Sequence, residues 1–169
     1  NSGICQELFE NHDEKPTNSF LYSLVMDTYS MGYHAGHVDM PMEQKVFLAQ
    51  YNAIKHLAET ESCVIVGRCA DYILENSGEK GDIQLFKLFI HASMESRVRR
   101  CMERRTEAEA NVTEKEMEKQ IKRVDKDRAN YYTNYTLRKW GDKSNYDICF
   151  NTTNMDLKIM VPHIATLFC

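Results

Sequence analysis

The run from Cys63 to Val66, followed at once by Gly67 and Arg68, constrains the fold of this chain more than any other stretch. It is apolar, rich in β-branched residues, too short for a helix, and preceded by polar residues 59–62. Such a run predicts a buried central strand of a parallel sheet that is covered on both faces. Ligands of open α/β sheets bind beyond the carboxyl ends of the strands, where Arg68 could offer a planar fork of donors. The alternative is that Arg68 only caps a surface turn.

Segments of helical and strand-like pattern alternate from residue 42 onward, which predicts an α/β fold with a doubly wound parallel sheet. A length of 169 residues allows one sizeable core, so we expect a single domain over residues 1–169. The other predicted strands are 85–90 and 145–151. Helices are predicted at 6–12, 19–31, 42–58, 68–75, 93–105, 113–135 and 156–167.

Capping residues mark where three of these helices begin. Ser93 is predicted to cap the helix after the second strand, and Thr113-x-x-Glu116 is a capping box at the start of the long helix. Thr153 or Asn154 is predicted to cap the last helix.

The most basic stretch of the chain is the predicted helix 93–105. Arg97, Arg100 and Arg104 follow one another at offsets of three and four, so their side chains share one helix face. Arginine rather than lysine favours bidentate binding of phosphate or carboxylate. A solvated helix face is the alternative. The polar linker 106–111 joins this helix to the next one, and the pair could form a flap over a ligand.

Charge and cysteine usage exclude several classes of protein. The formal net charge of -4 argues against a general nucleic-acid binder, so any anion site must be local. The six cysteines form no Cys-x-x-Cys pair and have no zinc-type spacing to histidine. We therefore expect a reduced cytoplasmic protein without disulfides or structural metal. Neither a signal peptide nor an apolar run of membrane-spanning length is found, so we expect no membrane partner.

Several motifs occur in a characteristic order along the chain. They are Cys-Val-Ile-Val-Gly-Arg at 63–68, Leu-Phe-Ile-His-Ala-Ser at 88–93 before the arginine-rich helix, Asp-Lys-Asp-Arg-Ala-Asn-Tyr-Tyr at 125–132, Trp-Gly-Asp at 140–142 and Asn-Tyr-Asp at 145–147. This set resembles the cytidylate-kinase-like family, a branch of the P-loop nucleoside monophosphate kinases. The resemblance implies a three-layer α/β/α P-loop kinase-like fold with a helical lid at about 93–136. It also implies phosphoryl transfer from ATP, assisted by Mg²⁺, to a small nucleotide such as CMP.

The resemblance also implies roles for individual residues. Arg68, with Gly67 before it, matches the arginine that holds the acceptor phosphate. Asp125-x-x-Arg128 is similar to the second arm of the family's lid, which faces the acceptor nucleotide in cytidylate kinases. The residues implied to assist catalysis are Arg97, Arg100, Arg104 and Arg128. Those implied to bind substrate are Gly67, Arg68, Arg123 and Asp125.

The sequence departs from the family pattern in two places. Cys69 stands where cytidylate kinases have an aspartate after Gly-Arg, which bears on how a cytosine nucleotide is recognised. No Gly-x-x-x-x-Gly-Lys-Ser/Thr occurs in the chain, so we expect the phosphate loop to precede Asn1. The alternatives are a non-catalytic nucleotide-binding or regulatory module, and an arginine-rich helix that binds an acidic protein partner.

Overall fold

The computed structural model describes residues 41–76, 83–106 and 109–167. The helices predicted at 6–12 and 19–31 lie outside this part. The described elements, in chain order, are α1 (Met42–Thr60), α2 (Ala70–Glu75), β1 (Leu88–His91), α3 (Met94–Glu103), α4 (Glu114–Thr136), a 3₁₀ turn (Lys143–Asn145), β2 (Ile148–Asn151) and α5 (Leu157–Ala165). No described helix is long and apolar enough to cross a bilayer.

The described residues fall into two compact units. Unit 1 comprises residues 41–76, 83–85 and 126–140, and unit 2 comprises 86–106, 109–125 and 141–167. The long helix α4 contributes its first part to unit 2 and its last part to unit 1. The single domain expected from the sequence stays a prediction.

Unit 1 is built around aromatic and aliphatic side chains from α1, α2 and the end of α4. Phe47 and Ile54 lie seven positions apart on α1, so both face the same core. The ring of Phe47 stacks on that of Tyr135, with centroids 3.9 Å apart and the planes 2° from parallel. Ile73 from α2 is also in this cluster and is 1% exposed. This core holds α2 and the residues just before it in place.

The run Cys63 to Val66 is not the buried strand that the sequence predicts. It forms no strand, since within the described part of the chain β1 and β2 pair only with each other. Val64 is 94% exposed and Val66 is 85% exposed. β-branched residues favour the conformation of a strand, but burying them requires neighbouring strands. The prediction used only the run itself and its flanking residues, which do not specify those neighbours.

Unit 2 contains a parallel pair of strands, which confirms the predicted α/β class and parallel direction. β1 and β2 pair in register from Leu88 with Ile148 to His91 with Asn151. Both strands are shorter than the sequence predicts. The backbone N–H of Thr152 donates to the carbonyl oxygen of His91 at 2.8 Å and extends the pairing by one step. Because the strands are parallel, their carboxyl ends lie side by side.

Capping interactions confirm two of the three predicted helix starts. The Ser93 hydroxyl accepts a hydrogen bond from the N–H of Ser96 at 3.3 Å. Thr113 and Glu116 form the predicted capping box, in which the Thr113 N–H donates to Glu116 Oε2 at 2.9 Å and the Glu116 N–H donates to Thr113 Oγ1 at 3.3 Å. These bonds from the Thr113 backbone and hydroxyl hold the pKa of Glu116 below its usual value.

The predicted cap of the last helix is wrong. Asp156 precedes α5, and its Oδ1 accepts a hydrogen bond from the N–H of Lys158 at 2.8 Å. Thr153 instead accepts from the Ser93 N–H at 2.8 Å, which ties the end of β2 to the start of α3. Thr153 therefore makes a long-range contact and does not cap α5.

Gly141 allows a close approach between the backbone and Phe89 on β1. Its φ is +74°, and a Cβ at this position would lie 3.0 Å from Phe89 Cζ. We expect Gly141→Ala to destabilise the protein by about 1–2 kcal/mol from the left-handed backbone alone, with crowding of Phe89 adding to it. Urea unfolding of the variant measures this. Ser144→Ala, at an exposed position nearby, is the control, and equal effects of both would contradict the argument.

Candidate functional site

Gly67, Arg68 and Cys69 form an unusual turn at the start of α2. All three have positive φ, at 73°, 58° and 55°. The two residues other than glycine each incur a backbone cost of about 1–2 kcal/mol. The turn persists because Cys69 and Ala70, which are 3% and 7% exposed, are packed in the core of unit 1. Such strain concentrates at functional sites, and here its centre is the half-buried Arg68.

Hydrogen bonds from α4 and from Arg138, two residues beyond its end, fix the helix that follows this turn. The hydroxyl of Tyr132 donates to Asp71 Oδ2 at 2.6 Å. At the other end of α2, Arg138 pairs with Glu75 and lies 5.1 Å from the ring centroid of Tyr72. The hydrogen bond with Glu75 raises the pKa of Arg138. The position of the Arg68 turn is therefore set by contacts to residues 132–138 that sequence reasoning did not predict.

In unit 2, α3 packs against residues 114–125 of α4, and α3 carries several arginines. We call this pair of helices the arginine hairpin. Its two arms are held together by a small apolar cluster of Val98, Met117 and Ile121. The hydroxyl of Ser96 donates to the carbonyl oxygen of Thr153 at 3.1 Å, which fixes α3 against the end of β2. The hairpin is thus attached to the carboxyl end of the parallel strands.

Arg97 and Asp125 join the two arms of the arginine hairpin. Nη1 of Arg97 donates to Asp125 Oδ2 at 2.7 Å, and Nη2 donates to Oδ1 at 2.6 Å. The side chains are 31% and 25% exposed, so the pair is only partly screened by solvent. Hydrogen bonding to Asp125 raises the pKa of Arg97, against the opposing effect of burial. Arg97, which the resemblance implies in catalysis, is thus paired with Asp125, which it implies in substrate binding.

Arg100 is held by the residue that follows β2. It donates to the carbonyl oxygen of Thr152 and, at 3.1 Å, to the Thr152 hydroxyl. Thr152 is 2% exposed, and its hydroxyl donates onward to the carbonyl oxygen of His91 at 3.1 Å. Thr152 is a residue that the sequence analysis missed, although it directly follows a predicted strand.

The remaining predicted site residues are exposed on the helices. Arg104 caps the end of α3, while Arg123 and Arg128 lie on α4. Arg123 and Arg128 each take part in further interactions. Gly67, Arg68 and Arg128 belong to unit 1, and the other predicted residues belong to unit 2. Within residues 41–76, 83–106 and 109–167, no cluster of three or more His, Cys, Asp or Glu side chains could hold a metal ion.

Arg105 flanks the arginines that the sequence places on one helix face, and it is held by backbone carbonyl groups. Its Nε donates to the carbonyl oxygen of Met102 at 2.9 Å, and its Nη1 donates to those of Ala110 and Val112 at 3.3 Å each. It therefore ties the end of α3 to the residues that lead into α4.

A parallel strand pair attached to a helix hairpin that carries arginines defines an α/β protein with a cationic helical arm. The chain belongs to the cytidylate kinase-like family, whose model matches residues 1–154. This confirms the resemblance seen in the motifs and indicates a nucleotide-kinase-like function in general terms.

A solved structure is similar to this chain over most of its length. It is the crystal structure of an uncharacterized protein from Eubacterium ventriosum, with a TM-score of 0.61 and 28% sequence identity. The match covers 96% of this chain and 86% of the other. No curated protein matches the sequence significantly.

Proposed function

We propose that this protein is a phosphotransferase that moves a phosphoryl group from ATP to a nucleoside monophosphate such as CMP. It would act in the cytoplasm on small nucleotides, with neither nucleic acid nor membrane as a partner. The proposal includes the three-layer P-loop kinase-like fold, with residues 93–136 as its lid. Family membership supports the class of reaction.

The observation that carries the proposal is the strained turn at Gly67, Arg68 and Cys69. Three successive positive φ values are maintained against their cost by a buried Cys69 and a packed α2. The turn sets the direction in which the Arg68 guanidinium leaves the backbone. A guanidinium held in this way can bind a phosphate by donating two N–H hydrogen bonds to it. We assign Arg68 to the acceptor phosphate.

Phosphoryl transfer requires positioning and neutralisation of charge more than covalent chemistry. The arginine hairpin supplies cationic groups, and the exposed Arg104 directly follows α3. Arg128, three residues beyond Asp125 on α4, is assigned to the same task. Arg97 and Arg100 already have protein partners, so they would act with their guanidinium groups fixed rather than mobile.

The family implies Mg²⁺ as well as ATP, and a bound Mg²⁺ would supply charge neutralisation on the phosphates. Magnesium in kinases is held by one or two carboxylates together with substrate phosphates. The residues that the structure describes contain no metal-ligand cluster, and the sequence contains no phosphate-loop motif. We therefore assign no residue to Mg²⁺ or to the triphosphate of ATP.

The experiment that tests the proposal is a phosphoryl-transfer assay with the whole natural chain, its length checked by intact mass spectrometry. ATP, Mg²⁺ and one monophosphate at a time are supplied, and nucleoside diphosphate formation is followed by chromatography. We expect product with at least one monophosphate, CMP being tested first. Binding of CMP by calorimetry without any product would overturn the catalytic proposal and favour a nucleotide-binding or regulatory module.

A further inference from the structure

The Arg97–Asp125 pair uses only one edge of the arginine fork. Both contacts run from the two Nη atoms to the two carboxylate oxygens, at 2.7 and 2.6 Å. The Nε–H of Arg97 has no partner among the described residues. A guanidinium carries five N–H donors in one plane, so a second anion can bind at the Nε edge while the carboxylate keeps the other edge.

The surroundings of the pair hold it rigidly. Arg97 is followed by Val98, which is 9% exposed, and Asp125 comes one helical turn after Ile121, which is 8% exposed. These two apolar residues belong to the same buried cluster between the arms of the hairpin. The backbone positions on both sides of the ion pair are therefore fixed by packing, and a bidentate charge-assisted contact fixes the guanidinium plane.

We propose that Asp125 is a positioning residue that aims the Nε edge of Arg97 at a phosphate group, and that it does not itself contact the nucleoside. The identity of the phosphate as that of a nucleotide rests on the proposed function. Binding of the anion by Arg97 does not depend on that function and can be measured alone. The competing arrangement is one in which Asp125 occupies the place of the phosphate and must be displaced by it.

The test is an NMR titration of arginine side-chain Nε–H signals with inorganic pyrophosphate. The Arg97 signal is assigned by its loss in Arg97→Lys. We expect this signal to shift in the wild type, and the half-saturating pyrophosphate concentration to rise about tenfold or more in Asp125→Asn, the size of effect that follows removal of a residue that orients a metal ligand. Asp125→Glu keeps the carboxylate and should recover most of the affinity.

Asp127→Asn is the matched control, because it removes the same charge from an exposed position on the same helix. Its titration should follow the wild type. Equal or tighter binding by Asp125→Asn would overturn the inference, because it would mean that the carboxylate competes with the anion. An Arg97 signal that pyrophosphate does not shift in the wild type would overturn it as well.

Kinetics separate this inference from the proposed function. If Asp125 positions Arg97, Asp125→Asn weakens the binding of pyrophosphate and of the nucleotide alike; a direct nucleoside contact would raise the KM for the monophosphate and leave the pyrophosphate titration unchanged. A wild type without turnover on any monophosphate contradicts the proposed function, whereas the pyrophosphate titration still decides the role of Asp125.

Discussion

Replacing Arg68 with alanine is expected to lower the rate of phosphoryl transfer on the order of a hundredfold or more, the typical effect of removing one fixed donor to a charged reacting group. The backbone of this turn is held by the core of unit 1, so we expect the variant to keep the fold. Steady-state rates with the preferred monophosphate measure the effect, and circular dichroism checks the fold.

Two further substitutions at this position separate backbone strain from chemistry. Arg68→Lys keeps the charge but loses the fork, and should recover only part of the activity. Arg68→Gly removes the side chain and also relieves the cost of φ 58°, so its melting temperature should equal or exceed that of the wild type while its activity falls as in the alanine variant.

Arg99→Ala is the control for the loss of a positive charge. Arg99 is exposed on α3 and lies outside the assigned site. Its rate should stay near that of the wild type. An Arg68→Ala protein with an unchanged rate would remove Arg68 from the site, whatever the outcome of the other variants.

The helices in the described part of the chain could be predicted closely because their signals are local. The spacing of Phe47 and Ile54 predicts α1, and the capping box at Thr113 predicts the start of α4 within one residue. Each of these signals lies within a few positions of the element that it specifies. The parallel direction of β1 and β2 also followed from the sequence, since alternating strands and helices are typical of a parallel sheet.

The contacts of the candidate site could not be predicted in the same way. Arg97 meets Asp125 across 28 positions, and Arg100 meets Thr152 across 52. Helical spacing placed both arginines on one face but gave no information about which group faces them. The exposure of Val64 has the same origin, because burial of a short apolar run is decided by its neighbours in space.

Phe47→Ala is expected to cause the largest loss of stability, about 3–5 kcal/mol, which is typical when a buried phenylalanine is truncated. Phe47 is 2% exposed and stacks on Tyr135, which is also 2% exposed, so the substitution leaves a cavity between α1 and α4. Urea unfolding followed by the fluorescence of Trp140 measures the loss, because this tryptophan packs against the same cluster.

Leu57→Ala is the matched control on α1, since Leu57 is 43% exposed and should cost about 1 kcal/mol or less. Similar losses in both variants would contradict the assignment of Phe47 to the core of unit 1. The same cluster contains Cys69 and Ala70, which maintain the strained turn at Arg68. Phe47→Ala should therefore also lower phosphoryl transfer at temperatures where the variant is still folded, and Leu57→Ala should not.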